Sequence, residues 1–257
     1  MGSEQATIHG VDSYWLGGSQ HKRADRELAR AIGARFPTVP EHARAGQDFL
    51  LRAAAWCAER GIERFTHLGT VTALPMGRNV HDAARRVNPA ARVVYANRSP
   101  QAHRWAGALL SGGSRTSAVL ARPGSPGDVV GAQDIAALLP AGGPACLIAS
   151  QVLHFLEGGK AAEQVLAYAE ALPPGSYLVA SAGLLGGSPA AGELAAMYTP
   201  ARIRRHTAQD VTRWLEDARL DIVPPGVADV RLIPVRAAAD IGDGGPGIIA
   251  GAIARKP

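Results

Sequence analysis

The stretch from Arg64 to Pro100, RFTHLGTVTALPMGRNVHDAARRVNPAARVVYANRSP, restricts the fold more than any other part of the chain. Glu63 to Leu68 is a short run suited to a buried strand, and Gly69 to Arg78 is a loop. Asn79 is placed to cap a helix over 80–87, because its side-chain carbonyl can accept an exposed amide of the first turn. Asn88-Pro89 ends that helix. Arg92-Val93-Val94-Tyr95-Ala96 supplies a second strand. Strand, glycine-containing loop, helix, strand is a βαβ unit, in which ligands sit beyond the carboxyl ends of the strands. Those ends fall here near Gly69 and Asn97.

The flanking segments extend the same pattern. Helical spacing predicts helices over 24–36 and 41–60, the second closed by Gly61. Further helices are expected over 100–110, 128–139, 160–171 and 207–218, the last capped by Thr207. Strands are expected over 116–121, 145–150, 176–181, 220–223, 230–235 and 247–254. Residues 1–10 read as a polar, mobile start, and 182–189 as a flexible glycine-rich link. The two late strands suggest an antiparallel edge. The fold class is α/β, a doubly wound, mostly parallel, Rossmann-like sheet with an N-terminal helical extension. The expected division is an extension or cap over 1–60 and a sheet domain over 61–257.

Composition narrows the function. A chain of 257 residues with 47% hydrophobic residues can bury a large core without disulfides. The net charge of +5 is spread along the chain, which argues against a nucleic-acid partner. No apolar run is long enough for a bilayer. Cys57 and Cys146 lie in apolar segments and read as free buried thiols of a cytoplasmic protein. No tight spacing of His, Cys and acids suggests a metal site. The abundance of Ala, Gly, Arg and Pro suggests a GC-rich genome.

Several blocks together resemble the small SAM-dependent methyltransferases abundant in actinobacteria, which have the class I methyltransferase fold. They are Trp15-Leu16-Gly17-Gly18 with Ala24-Asp25-Arg26-Glu27, Leu68-Gly69-Thr70 with Leu74-Pro75 and Asn79-Val80-His81, and Arg92-Val93-Val94-Tyr95 with Pro100. Val152-Leu153-His154-Phe155, Leu172 to Leu178 and the end from Gly251 to Lys256 complete the set, so the resemblance covers nearly the whole chain. It implies S-adenosyl-L-methionine as cofactor and a small-molecule substrate, as in specialised metabolism, with a homo-oligomer left open. It also points to Gly69, Thr70, Asn79, Asn97, Arg98 and Arg122 around the cofactor.

The departures from the family pattern are chemical. His67 stands where the family has an acid, Val71 where it has a second glycine, Asn97 followed by Arg98 where it has the ribose-binding Asp, and Arg122 at the best match to an Asp near the adenine amine. Lys22 replaces an aromatic residue, and Gly46-Gln47 an Asn-Arg pair. A carboxylate accepts a charge-assisted hydrogen bond, roughly twice as strong as a neutral one. Asn97 can still accept a ribose hydroxyl, whereas Arg122 cannot accept at all. Weakened SAM binding is therefore expected if these positions share one pocket.

Several residues carry two readings each. Gly69 is a ligand-approach glycine or a plain turn, and Asn79 a cap or a ligand contact. His81 faces the crevice or is a solvated or core residue. His154 is a general base or a structural histidine hydrogen-bonded to a loop carbonyl. His67 is a replaced acid or, less simply, a catalytic group. Asp25-Arg26 is an ion pair, or Arg26 reaches the pocket. Three functions remain: SAM-dependent methyl transfer, another reaction on the same fold such as cyclisation, rearrangement or condensation, and non-catalytic ligand binding. Fold alone does not separate them.

Overall fold

The computed structural model describes residues 5–69, 74–75, 77–97, 100, 103–104, 107, 115–120, 130–184, 188–233 and 248–257. Its centre is a sheet of eight strands: β1 (Arg64–Gly69), β2 (Arg92–Asn97), β3 (Thr116–Leu120), β4 (Cys146–Ser150), β5 (Tyr177–Leu184), β6 (Asp221–Ile222), β7 (Ala228–Asp229) and β8 (Ile248–Arg255). The order is β3-β2-β1-β4-β5-β8-β6, with β7 also paired to β8. The first five strands are mutually parallel, while β8 runs antiparallel to β5, β6 and β7. The expected antiparallel edge is therefore present.

Eight described helices surround the sheet: α1 (Ile8–Trp15), α2 (Arg23–Arg35), α3 (Thr38–Glu59), α4 (Val80–Val87), α5 (Ala132–Ala136), α6 (Gly158–Ala171), α7 (Pro189–Met197) and α8 (Ala208–Asp217). Alternation along the parallel strands sorts their side chains onto two buried faces. Phe65, Val93, Tyr95, Cys146 and Ile148 pack under α3 and α4. Leu68, Ala96, Leu147, Ala149 and Leu178 pack under α6 and α8. A third cluster joins α1, α2, the start of α3 and α7 through Val11, Trp15, Ile32, Val39, Phe155, Leu194 and Tyr198. Cys57 and Cys146 are free and buried, and burial followed by contact with Cys57 raises the Cys146 thiol pKa.

Four expectations need correction. The supposedly mobile start contains α1: Thr7 caps it through Gly10 N–H, and the Asp25 carboxylate accepts from the Thr7 amide and hydroxyl. Asp25 also accepts from Lys22 N–H, and Arg26 contacts His21, so Asp25 and Arg26 serve separate partners. The helix over 128–139 contracts to α5, because the Val130 backbone is engaged at both polar groups by the Gln164 side chain. The described residues of the expected link over 182–189 belong to regular elements: β5 runs on to Leu184, and Ser188 caps α7, which Pro189 begins, while 185–187 lie outside the described residues. Of the expected strand over 230–235, residues 230–233 form a turn that follows β7, where Asp229 accepts from Arg231 N–H, and 234–235 lie outside the described residues. The expected helix over 100–110 falls mostly outside the described residues.

Candidate active site

The strand order reverses between β1 and β4, which is where open α/β sheets bind ligands. At this switch point Gly69 lies opposite Ser150 in the parallel register. The chain leaving β1 reaches α4 on one face of the sheet, and the chain leaving β4 reaches α6 on the other. Gly69 has φ +129°, and a Cβ there would lie 2.1 Å from the Ser150 carbonyl oxygen and 3.0 Å from Val152 Cγ1. Only glycine allows the two strand ends to come this close. Directly after Ser150, Gln151 takes φ +51°, an unusual conformation for a side-chain-bearing residue. Its N–H donates to Ser181 O at 3.0 Å.

On the β2 side of the switch point, His67, Tyr95 and Asn97 occupy alternate positions facing the α4 layer. The His67 and Tyr95 rings are 5.7 Å apart. Burial lowers the His67 pKa to about 4, so its ring is neutral near pH 7. Both His67 nitrogens, and both polar atoms of the Asn97 side chain, are buried without a partner among the described residues. Buried amides left unpaired are costly, so such a group points to an absent partner.

His81 and Asn79 are committed to local structure. Tyr95 Oη accepts from His81 N–H at 3.1 Å and lies 2.9 Å from His81 Nδ1. Burial raises the Tyr95 pKa, so its hydroxyl stays protonated and donates to that nitrogen. The second His81 nitrogen lies 3.5 Å from Asp82 Oδ1, and burial lowers the His81 pKa. His81 thus ties α4 to β2. Asn79 does precede α4, but its Oδ1 accepts from Leu74 N–H at 3.0 Å rather than from the helix's first turn. Asp82 closes the helix end from the other direction by accepting Asn79 N–H. Thr70, Arg98 and Arg122 lie outside the described residues.

On the β4 and β5 side a partly open cavity of about 70 Å³ lies between the N-terminal helices and the sheet. It is lined by Asp12 and Trp15 of α1, Val39 and Ala43 of α3, Gln151, His154 and Ile249 at the sheet, and Tyr198 at the end of α7. His154 accepts from Gly183 N–H through Nδ1 at 3.2 Å. Burial, then the neighbouring His206, lowers its pKa to about 3. The ring is therefore neutral with its proton on Nε2, and can donate a hydrogen bond. Asp12 is the group missed in the sequence. Burial raises its pKa to about 7. In the sequence it stands between Val11 and Ser13, three residues before Trp15. A larger cleft, about 770 Å³, lies behind Ile203, lined by Arg202, Arg204, Arg205 and Arg213. None of its lining residues belongs to β1 or β4.

Among the described residues no group of three His, Cys, Asp or Glu side chains could hold a metal, and no helix is long and apolar enough to cross a membrane. A family model described as S-adenosyl methyltransferase matches residues 1–257. A candidate methyltransferase from Thermobifida fusca shares 30% identity, with a TM-score of 0.82 and coverage of 98% of this chain and 95% of that one. A DUF574 family protein from Streptomyces avermitilis shares 31% identity, with a TM-score of 0.81 and coverage of 99% of each chain. Magnesium protoporphyrin IX methyltransferase from Synechocystis, solved with bound SAH, is similar in fold at 14% identity and a TM-score of 0.53, covering 96% and 93% of the two chains. No curated protein matches.

Proposed function

This chain belongs to the S-adenosyl methyltransferase family, and from that premise we propose that it transfers a methyl group from S-adenosyl-L-methionine to a small-molecule acceptor. The observation that carries this reading is Asn97. Its amide is 1% exposed, stands at the tip of β2 beside the switch point, and has both polar atoms unpartnered among the described residues. That donor–acceptor pair fits a ribose diol, which can both give and take hydrogen bonds. His67 is neutral near pH 7, so it does not repel a cationic ligand. Gly69 keeps the mouth between β1 and β4 narrow and free of side chain. Thr70, Arg98 and Arg122 complete the proposed cofactor set by resemblance.

When bound, the cofactor supplies an electrophilic methyl group on a sulfonium. The chain's own task is then to align the acceptor and exclude water. The cavity between α1, α3 and the ends of β4 and β5 is the acceptor's proposed place, with His154 as hydrogen-bond donor. His81 serves the site by holding α4 against β2.

Asn97 supplies a neutral hydrogen bond where a carboxylate would supply a charged one, so affinity should be modest. Calorimetric titration with S-adenosylhomocysteine should give saturable one-to-one binding with Kd on the order of 10–100 µM. Asn97→Ala should weaken it about tenfold, the equivalent of one hydrogen bond. No saturable binding at millimolar ligand would overturn the cofactor assignment and favour another reaction, or simple ligand binding, on this fold.

A further inference from the structure

We propose that Asp12 is the base of this site, and that its cavity takes the hydroxyl or uncharged amine end of an acceptor with an apolar or aromatic stem. The inference deepens the methyl-transfer reading and rests on it. It starts from a contrast between two aspartates of the N-terminal helices. Asp25 is 1% exposed and accepts hydrogen bonds from Thr7 N–H, Thr7 O–H and Lys22 N–H. It holds α1 on α2. Asp12, one α1 turn further along the chain from Ile8, accepts no hydrogen bond from the described residues and faces the cavity. Asp12 is half-buried, and a carboxylate partly withdrawn from water and left without protein donors is costly to keep. An incoming donor would relieve that cost.

The surroundings define what that donor is. Trp15, Val39, Phe155, Leu184, Leu194 and Ile249 make the walls apolar. They suit a hydrocarbon or aromatic stem and disfavour a second charge. The ionisable groups facing Asp12 are few. His154, from the 3-10 turn at Leu153–Phe155, is neutral. Tyr198, at the end of α7, is held protonated by burial and then by the charges of Asp12 and Asp25. Arg44 of α3 is turned to the Trp15 carbonyl. No described cation stands ready to neutralise Asp12, so burial leaves it titrating near neutrality. Position completes the argument. Gln151, on the cavity wall, directly follows Ser150, the register partner of Gly69, so the cavity opens one residue past the cofactor crevice.

The proton balance is simple. As the acceptor's oxygen or nitrogen is alkylated, its O–H or N–H bond breaks and the electron pair stays on that atom. The proton passes to Asp12 Oδ, and the neutral acid later returns it to water. His154 Nε2–H orients the acceptor. A base titrating close to the working pH is best suited to this exchange.

The test uses phenol and toluene as probes, since they share a ring and differ in the hydroxyl, and follows Asp side-chain carboxyl carbons by ¹³C NMR in the full-length protein. One carboxyl should titrate near pH 7 and be missing in Asp12→Asn. Its midpoint should fall when phenol is added and stay when toluene is added. At pH 8, Asp12→Asn should bind phenol about tenfold more weakly and toluene with unchanged affinity, which also shows that the variant is folded. Absence of a carboxyl titrating between about pH 6 and 8, or equal losses for phenol and toluene, would overturn the proposal. Either result would leave S-adenosylhomocysteine binding intact, whereas failure of the cofactor assignment would abolish that binding and leave the Asp12 titration in place.

Discussion

The two sides of the switch point solve opposite problems. On the β2 side, His67 and Asn97 are polar, buried and uncharged near pH 7, and the sheet is tied to α4 by the Tyr95–His81 pair. On the β4 side, one carboxylate, Asp12, is set against apolar walls. The first side waits for hydrogen bonds, and the second holds a charge that a bound donor would stabilise. In the proposed reading, acid–base capacity stands on the covering helix and not at the strand tips. A site divided in this way would bind one partner by fit on the sheet, and act on the other through a helix that must itself be held in place.

The two sides should fail differently under mutation. Gly69→Val strikes the hinge between them. Its Cβ would sit 2.1 Å from a backbone oxygen at φ +129°, so neither a rotamer change nor the backbone relieves it. Stability in urea should fall by about 4 kcal/mol or more, and binding on both sides should be lost together. A variant that unfolds at the same urea concentration as the parent would show that the strand ends are looser than described. Asp12→Asn separates the sides. Asp12 is half-buried, and an acid with a raised pKa binds its proton more tightly folded than unfolded. The Asp12 contribution to stability is therefore greatest below about pH 4 and declines as pH rises, levelling off above about pH 7. The decline totals at most about 4 kcal/mol. Asp12→Asn lacks that decline, so at pH 8 it should outlast the parent in urea, while at pH 4 the two should agree. Equal stability at pH 8 would mean that Asp12 carries no burial penalty.

The sequence read well where local chemistry and tertiary need agree. The β1–α4–β2 unit is as expected because residues suited to strands and an Asn-Pro stop act within a few residues, although the Asn79 side chain serves Leu74 and not the first turn of α4. The antiparallel β8 was visible as an apolar run. The acceptor side was harder to read. The segment of α1 contains Gly10 and Ser13, poor helix formers, and its order depends on Asp25, eighteen residues away from Thr7. The Ser188-Pro189 start of α7 was a usable signal that the preceding glycines masked. Asp12 could not be singled out, because a lone acid acquires meaning only from the cavity it faces. Conversely, the replaced acids on the β2 side are legible in the sequence, and weaker SAM binding is the expectation they give, but the burial that sets the charge of His67 is not. His67 is neutral because it is buried, and a sequence does not show burial of that depth.

Gly10→Ala probes the support of the acceptor side alone. The new Cβ would overlap the Asp25 carboxylate, 2.0 Å from Oδ2, and Asp25 would have to give up its bonds to Thr7. Loss of those bonds should cost about 2 kcal/mol, with α1 opening before the sheet does. Hydrogen exchange should speed up over 8–15 while β1 and β2 amides remain protected. If exchange rises equally across both regions, the covering helix and the sheet unfold as one unit and the division is not energetic.

Asn97→Asp tests the cofactor side with the smallest expected change. A carboxylate at the β2 tip would accept the ribose hydroxyls through charged hydrogen bonds, worth about 1.4 kcal/mol more than the amide, or tenfold in Kd for S-adenosylhomocysteine at pH 8. The same carboxylate, buried without a partner, should lower the unliganded protein's stability and raise its own pKa, so the gain should shrink as pH falls toward 5. Asn97 and Asp12 would then respond to pH in opposite senses. Ligand affinity on the β2 side would improve with rising pH in the variant, while stability on the β4 side declines with rising pH in the parent. If Asn97→Asp leaves affinity unchanged at every pH, the β2 tip does not meet the ribose, and the unpaired Asn97 amide has some other partner.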